Sequence, residues 1–166
     1  MEKEGKTVVC MGSFNPVTIG HIDLFEQILK IHPYFHLFVR YNEGVDLTSW
    51  EIKKSWFDRI NQEHGNRIII HKLTTDTMKG KQYNVDIFTY FIHLFEDELG
   101  TPIDKIWVGE DAAPLIEKAQ VHFPNTHFVI TARTEICSTD IRKDLEGHKD
   151  WVPDYVYKDL KTLNTK

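Results

Sequence analysis

A ten-residue stretch near the start of this chain, Gly12-Ser13-Phe14-Asn15-Pro16-Val17-Thr18-Ile19-Gly20-His21, is the most informative part of its sequence. An apolar run at 6–11 (KTVVCM) precedes it and is typical of a buried strand, whereas residues 19–31 have apolar side chains at helical spacing. Gly12 permits a tight turn and close approach of a ligand, and Pro16 pre-organises a helix start. The free N–H groups and dipole of that helix start favour an anion. The stretch therefore predicts a strand, an anion-binding turn and a helix.

The rest of the chain alternates between the same two kinds of segment. Further strands are predicted at 36–41, 67–70, 103–108 and 127–131. Further helices are predicted at 48–64, where Thr48 and Glu51 fit a capping box, and at 85–99, 112–122, 139–145 and 154–163. Alternation over short loops favours a parallel sheet covered on both faces by helices. We expect one α/β domain over residues 1–166 with a five-stranded parallel sheet, and one cleft at the carboxyl ends of its strands.

Composition excludes several classes of protein. The chain has 166 residues, 20 Lys+Arg against 25 Asp+Glu, and a formal net charge of −5, which argues against a general nucleic-acid binder. A hydrophobic fraction of 41% is typical of a globular protein, and no apolar run is long enough to span a bilayer. Cys10 and Cys137 form no CxxC pair, and the histidines show no spacing typical of metal ligands. We expect a cytoplasmic protein that binds neither nucleic acid nor membrane and has no metal site of its own.

Two pairs of polar side chains are the candidates for phosphate binding. Thr18 and His21 are three residues apart on the first turn of the helix, so that a hydroxyl and an imidazole can reach the same phosphate oxygens. Ser138 and Thr139 lie where a later helix should begin, and Arg142 follows one turn on with a planar group that suits phosphate. A partly buried helix-start histidine, an ordinary N-cap and a surface arginine are the alternative interpretations.

Both stretches resemble the signatures of the nucleotidyltransferase superfamily. The first is similar to G-[ST]-F-[DN]-P-x-[TH]-x-G-H, and the second, at 136–142, is similar to ISSTxIR with Cys137 in place of the first serine. The resemblance implies a Rossmann-like domain in which an acceptor phosphate attacks the α-phosphorus of a nucleoside triphosphate in line and releases pyrophosphate. It implies Mg²⁺ bound mainly through the nucleotide phosphates. The site residues that it implies are His21, Thr18 and Arg142 for catalysis, with Gly12, Ser13, Phe14, Gly20, Ser138 and Thr139 at the nucleotide.

Weaker features bear on the acceptor. Gly109 and Asp111 resemble a G-x-D of the pyridine-mononucleotide adenylyltransferases that engages the nucleotide ribose, and 82–86 (QYNVD) resembles their S-Y-T-x-D, with Asn84 in place of the threonine near the pyridine ring. Only two residues separate Arg133 from Ile136, which is more similar to phosphopantetheine adenylyltransferase. The sequence favours transfer of AMP from ATP to nicotinamide or nicotinate mononucleotide. Phosphopantetheine adenylyltransferase, a cytidylyltransferase acting on an alcohol phosphate and a catalytically silent nucleotide-binding protein are the alternatives.

Four residues are candidates for holding that small phosphate-bearing acceptor. Arg40, near the end of a predicted strand, and Arg133, just after another, can contact its phosphate. Trp50 can stack on a ring, and Asn84 belongs to the pyridine-like motif. Lys53 and Lys54 can steer an acceptor phosphate, although a solvated helix face is the usual place for such lysines. Families on this fold range from monomers to hexamers, so a homo-oligomer is compatible with the sequence.

Overall fold

The computed structural model describes residues 6–74, 87–131 and 136–164. Its five strands are β1 (Val8–Gly12), β2 (Phe35–Arg40), β3 (Ile68–Leu73), β4 (Lys105–Gly109) and β5 (His127–Thr131). They form one sheet in the order β3-β2-β1-β4-β5, in which all four pairs of neighbours are parallel. The chain leaves β1 first toward β2 and β3 and later returns to its other side as β4. The strand order therefore reverses between β1 and β4, and a crevice at their carboxyl ends is where such sheets bind ligands.

The helices account for the remaining predicted segments. They are α1 (Ile19–Ile31), α2 (Trp50–Glu63), α3 (Ile87–Leu99), α4 (Ala113–His122), α5 (Ser138–Lys143) and α6 (Asp154–Asn164). Short 3₁₀ turns lie at Glu110–Ala112 and Glu146–Trp151. The predicted fold class is confirmed, and α1 and β5 have the predicted bounds. None of the helices in the described ranges is long and apolar enough to cross a membrane.

The start of α2 differs from the prediction. Ser49 is its N-cap, with a hydroxyl that accepts the N–H of Ile52 at 3.3 Å. Thr48 is buried, its hydroxyl donates to the Ser49 carbonyl, and its own carbonyl accepts the hydroxyl of Tyr41 at 3.1 Å. The predicted capping box of Thr48 and Glu51 is wrong because a tertiary contact engages Thr48 and moves the cap one residue on.

Alternate residues of the strands point into two apolar layers. One layer packs the first set of strand residues on α1, α2 and α6, and its members include Val8, Cys10, Leu37, Val39, Trp107, Phe25, Ile28, Trp56, Phe57, Ile60, Val156 and Leu160. The other packs the second set on α3, with Ala119 from α4, and includes Val9, Phe38, Ile106, Val108, Phe91, Ile92 and Phe95. The chain that follows α5 is anchored to the first layer, where the indole N–H of Trp56 donates to Asp159 of α6 at 2.8 Å. Because the helices cover the two faces of the sheet, the carboxyl ends of its strands remain uncovered.

Phe14 explains why residue 12 is a glycine. Phe14 has a φ of +48° and is 4% exposed, with its ring centroid 5.7 Å from that of Phe25 and 5.3 Å from that of Phe57. A Cβ on Gly12 would lie 2.7 Å from the Phe14 ring. The sequence predicts a glycine here for a tight turn and close ligand approach. The structure adds a second reason for Gly12, since the turn places an aromatic ring against the backbone of β1.

We expect Gly12→Ala to lower the free energy of unfolding by roughly 1–3 kcal/mol, because the added methyl group overpacks a buried ring. Urea denaturation followed by circular dichroism measures it. Gly109→Ala is the matched control, since nothing lies within 4 Å of a Cβ at that position. Equal stability of the two variants would contradict this account of Gly12.

Candidate functional site

A cleft of about 590 Å³ opens at the carboxyl ends of β1, β4 and β5. It is bounded by the first turns of α1, by the 3₁₀ turn after β4 and by the start of α5. The predicted residues that line it are Thr18, Gly20, His21, Gly109, Asp111 and Ser138. Three stretches that are distant in sequence therefore meet in one cleft, at the reversal of strand order.

Thr18 and His21 are bonded to each other in a reciprocal helix cap. The backbone N–H of Thr18 donates to Nδ1 of His21 at 2.9 Å, and the N–H of His21 approaches Oγ1 of Thr18 at 3.3 Å. A backbone N–H can only donate, so Nδ1 carries a lone pair and the ring proton of neutral His21 is on Nε2. Thr18 is 1% exposed. Its place in the structure differs from the sequence-based expectation of a hydroxyl aimed directly at phosphate, because it orients the imidazole.

His21 is uncharged at neutral pH. Burial lowers the pKa of its imidazole to about 4, and the nearby ammonium group of Lys53 contributes in the same direction. The ring of Phe14 packs edge-on against His21 with a centroid distance of 4.8 Å. The result is a neutral imidazole held in one orientation and one tautomer, with an N–H donor on the atom that the cap leaves unused.

Three carbonyl oxygens of the first motif are held by side-chain donors. Nζ of Lys53 donates to the carbonyl of Ser13 at 2.6 Å. Arg142 donates to the carbonyl of Asn15 at 2.5 Å, and the hydroxyl of Ser138 donates to the carbonyl of Pro16 at 2.8 Å. In a trans peptide the N–H points opposite to the carbonyl, so the N–H of Phe14 points away from Lys53. Groups that would repel a phosphate are thus engaged elsewhere.

The second motif contacts the first through Ser138 and Arg142. Arg142 also donates to Oγ1 of Thr139 at 3.2 Å and is exposed, as is Thr139. Cys137, in the place of the family serine, is the N-cap residue of α5, and the N–H groups of Asp140 and Thr139 lower the pKa of its thiol. Cys10 is the contrasting case, since burial in β1 raises its thiol pKa to about 12.

The predicted acceptor residues lie apart from this cleft or outside the described residues. The guanidinium carbon of Arg40 lies 5.4 Å from the ring centroid of Phe91, at the end of β2. Trp50 packs against Tyr41 with a centroid distance of 5.8 Å, and Nζ of Lys72 lies 5.2 Å from the Trp50 ring. Asn84 and Arg133, together with the rest of the 82–86 motif, fall outside the described ranges.

Two residues were placed wrongly or missed by sequence reasoning. Lys53 is 1% exposed, so the expectation of a solvated lysine is wrong. The available signal was its spacing, since Lys53 lies three, four and seven residues before Trp56, Phe57 and Ile60 and so shares the buried face of α2. Trp107 lines the cleft and has a buried indole N–H without a hydrogen-bond partner among the described residues. Its place three residues before the turn that follows β4 was the available signal.

The charged groups of the cleft fit a metal ion that is carried by a ligand. Asp23, Glu110 and Asp111 line it. Across the three described ranges, no group of three or more His, Cys, Asp or Glu side chains could hold a metal ion alone. Mg²⁺ is usually bound by one or two carboxylates together with phosphate oxygens and water, and this donor set suits that arrangement.

The pKa of His21 predicts how stability depends on pH. Because it lies near 4 in the folded protein against an ordinary value of 6.5, the unfolded chain binds more protons between these pH values. The free energy of unfolding should therefore fall as the pH drops from about 6.5 to 4, and His21→Gln should reduce that fall. Urea denaturation across this range measures it, with the exposed His127→Gln as a matched control. The same pH dependence in His21→Gln as in the original protein would contradict the assignment.

Solved structures of other proteins share this fold. The NadR protein in complex with NR is 14% identical with a TM-score of 0.60, over 92% of this chain and 44% of that chain. A bifunctional NMN adenylyltransferase/ADP ribose pyrophosphatase from Francisella tularensis is 15% identical with a TM-score of 0.68, over 97% of this chain and 50% of that chain. The complex of the same enzyme with AMP and a Mn ion is 16% identical with a TM-score of 0.66, over 97% of this chain and 49% of that chain. The chain spans about half the length of these proteins.

Sequence comparison identifies the family directly. No curated protein sequence matches this chain significantly. The family model described as cytidylyltransferase-like matches residues 9–147, which include both motifs and all five strands except the first residue of β1. The chain therefore belongs to the cytidylyltransferase-like family of nucleotidyltransferases.

Proposed function

We propose that this protein transfers AMP from ATP to nicotinamide or nicotinate mononucleotide with release of pyrophosphate. The observation that carries the transfer reaction is the neutral, capped His21 at the wall of a cleft that both phosphate motifs border. Family membership supports the reaction class. The pyridine acceptor is supported by the G-x-D turn at 109–111 and by the fold shared with an NMN adenylyltransferase.

His21 is assigned to the α-phosphate. Its Nε2–H donates to a non-bridging oxygen whose negative charge grows as the acceptor phosphate attacks in line. An oriented donor inside a partly buried site stabilises such charge more than water does, because it needs no reorganisation. A neutral donor also keeps its proton throughout, so that His21 stabilises charge without acting as an acid. No residue needs to form a covalent bond to the nucleotide.

The second motif is assigned to the departing phosphates. Ser138 starts α5 at the wall of the cleft, and Thr139 and Arg142 follow it on the same helix. The N–H groups of Ser13 and Phe14 are assigned to the same phosphates. Gly109 and Asp111 are assigned to the ribose at the end of β4. Mg²⁺, held mainly by the nucleotide phosphates, would neutralise phosphate charge.

The acceptor is assigned to the ends of β2 and β3. Arg40 and Lys72 supply positive charge there, and Tyr41 and Trp50 supply aromatic rings next to Lys72. A ring-bearing phosphate ester combines both features. The expected single domain over 1–166, its cytoplasmic location and homo-oligomer formation stay predictions.

The reaction is tested by pyrophosphate release with ATP and CTP in turn. Each is offered nicotinamide mononucleotide, nicotinate mononucleotide, phosphopantetheine or glycerol 3-phosphate in the presence of Mg²⁺. We expect turnover with ATP and a pyridine mononucleotide. Turnover with another pair would overturn the acceptor assignment, and nucleotide binding without any turnover would favour a silent nucleotide-binding protein.

His21→Ala should lower kcat by about 10²–10⁴ because it removes a preorganised donor to the transition state. Steady-state kinetics of pyrophosphate release measures it, and circular dichroism checks that the fold is intact. His127→Ala removes an exposed imidazole of β5 and should leave kcat unchanged. An unchanged rate in His21→Ala would exclude this mechanism.

Arg40→Ala should raise KM for the acceptor by roughly tenfold, as expected for loss of one charge-assisted hydrogen bond, and leave KM for ATP nearly unchanged. Arg59→Ala is the matched control, since its guanidinium also lies over an aromatic ring, 4.5 Å from the centroid of Tyr155, on the outer part of α2. Equal effects on both Michaelis constants would place Arg40 outside the acceptor site.

A further inference from the structure

Lys53 and Asp46 form a buried ion pair beneath the first motif. Their side chains are 1% and 7% exposed, respectively. The Lys53 ammonium group donates to the carbonyl of Ser13 at 2.6 Å, to the carbonyl of Arg40 at 2.9 Å and to Oδ1 of Asp46. An ammonium group has three protons, and each has an acceptor here. One side chain of α2 therefore joins the first motif, the end of β2 and the loop that connects β2 to α2.

The connecting loop is fixed from its own side as well. Oδ2 of Asp46 accepts the backbone N–H of Asn42 at 2.8 Å, so both oxygens of this carboxylate are engaged. A second contact joins the loop to the first motif, because the N–H of Leu47 donates to Oδ1 of Asn15 at 2.9 Å. The ion pair is thus held in one geometry against the motif that carries His21.

Stability alone is a poor reason for such a pair. Removing two charges from water costs several kcal/mol, and an apolar pair of similar volume is often as stable or more so. The site it contacts gives another reason. Ser13 begins the turn that is assigned to the nucleotide phosphates, and its carbonyl would repel them if it faced the cleft.

We propose that the buried Lys53–Asp46 pair positions the first motif for nucleotidyl transfer, with Lys53 holding the Ser13 peptide and Asp46 holding Lys53. This inference rests on the proposed function for its catalytic consequence. The part that does not depend on the reaction is the effect of the pair on anion binding and on the pKa of His21. Because the Ser13 carbonyl is turned to Lys53, the N–H of Phe14 in the same peptide is presented on the opposite side.

The charge of Lys53 acts on His21 as well. It favours the uncharged imidazole, and burial of that ring acts in the same direction. The other charged or titratable groups around the ring's cleft are Asp23 on α1, Glu110 and Asp111 after β4, and Cys137 before α5. Three of them are carboxylates. The charge that lowers the pKa of His21, beside the larger effect of burial, is that of Lys53 on α2.

The test compares four variants. Lys53→Met/Asp46→Asn removes both charges, so that no unpaired buried ion is left to unfold the protein. Asp46→Asn keeps the ammonium group, and Lys53→Arg keeps a cation. Lys54→Met is the matched control, because Lys54 is exposed and pairs with Asp58 on the same helix at 2.8 Å. Each variant is examined by NMR titration of His21, assigned with His21→Gln, and by calorimetric titration with tripolyphosphate.

The double variant should raise the His21 pKa above its value in the unaltered protein and weaken tripolyphosphate binding on the order of tenfold. Asp46→Asn should not raise that pKa. Lys53→Arg should retain much of the tripolyphosphate binding that the double variant loses. General opening of the site to water would raise the pKa in both the double variant and Asp46→Asn, and would overturn the proposal. An unchanged double variant would overturn it equally.

A kinetic measurement separates this inference from the proposed function. With an active enzyme, the double variant should lower kcat more than it raises KM for the acceptor. Absence of turnover in the unaltered protein would contradict the proposed reaction, while the titrations of His21 and of tripolyphosphate would still decide the role of the pair.

Discussion

The reciprocal hydrogen bonds between Thr18 and His21 are the interaction on which the site depends. They begin α1, and they also fix the tautomer and direction of the imidazole. A helix cap usually satisfies orphan backbone groups and does nothing more. Here the capping side chain has a second nitrogen, so the bond that starts the helix leaves a single N–H donor at the cleft. Helix formation and orientation of the His21 imidazole are therefore one event.

Around that cap, side-chain donors hold the backbone carbonyls of the motif that we propose to bind phosphate. Lys53 of α2 holds the carbonyl of Ser13. The second motif holds the next two, since Arg142 donates to the carbonyl of Asn15 and Ser138 to that of Pro16. Carbonyl oxygens are the main repulsive groups that a backbone presents to an anion. Their removal to Lys53, Arg142 and Ser138 leaves N–H groups as the polar groups for a phosphate, and it sets the distance between the two motifs.

The reversal of strand order at β1 and β4 brings these parts together. Both strands end at the same edge, so the first motif and the turn at 109–111 meet there, and β5 brings the start of α5 beside them. The apolar layers on both faces hold the sheet rigid, and the charged groups remain at its carboxyl edge. The net charge of −5 is a property of the whole chain, whereas the field in the cleft is set by the groups near it, which are Asp23, Glu110 and Asp111 in its lining and Lys53 beneath the first motif.

Local pattern was sufficient for the elements and for the motifs. Apolar alternation and helical spacing predict α1 and β5 at their observed bounds, because burial on one face imposes a period that is visible in sequence. The placement of individual polar side chains depends on partners that are distant in the chain. Thr18 faces His21, Thr48 yields its predicted cap to Ser49, and Lys53 lies buried against Ser13 and Asp46. Sequence therefore determined which segments fold and which motifs identify the family, whereas the direction of each polar group was decided by tertiary packing, since hydrogen-bond geometry is set by atoms that only the folded chain brings together.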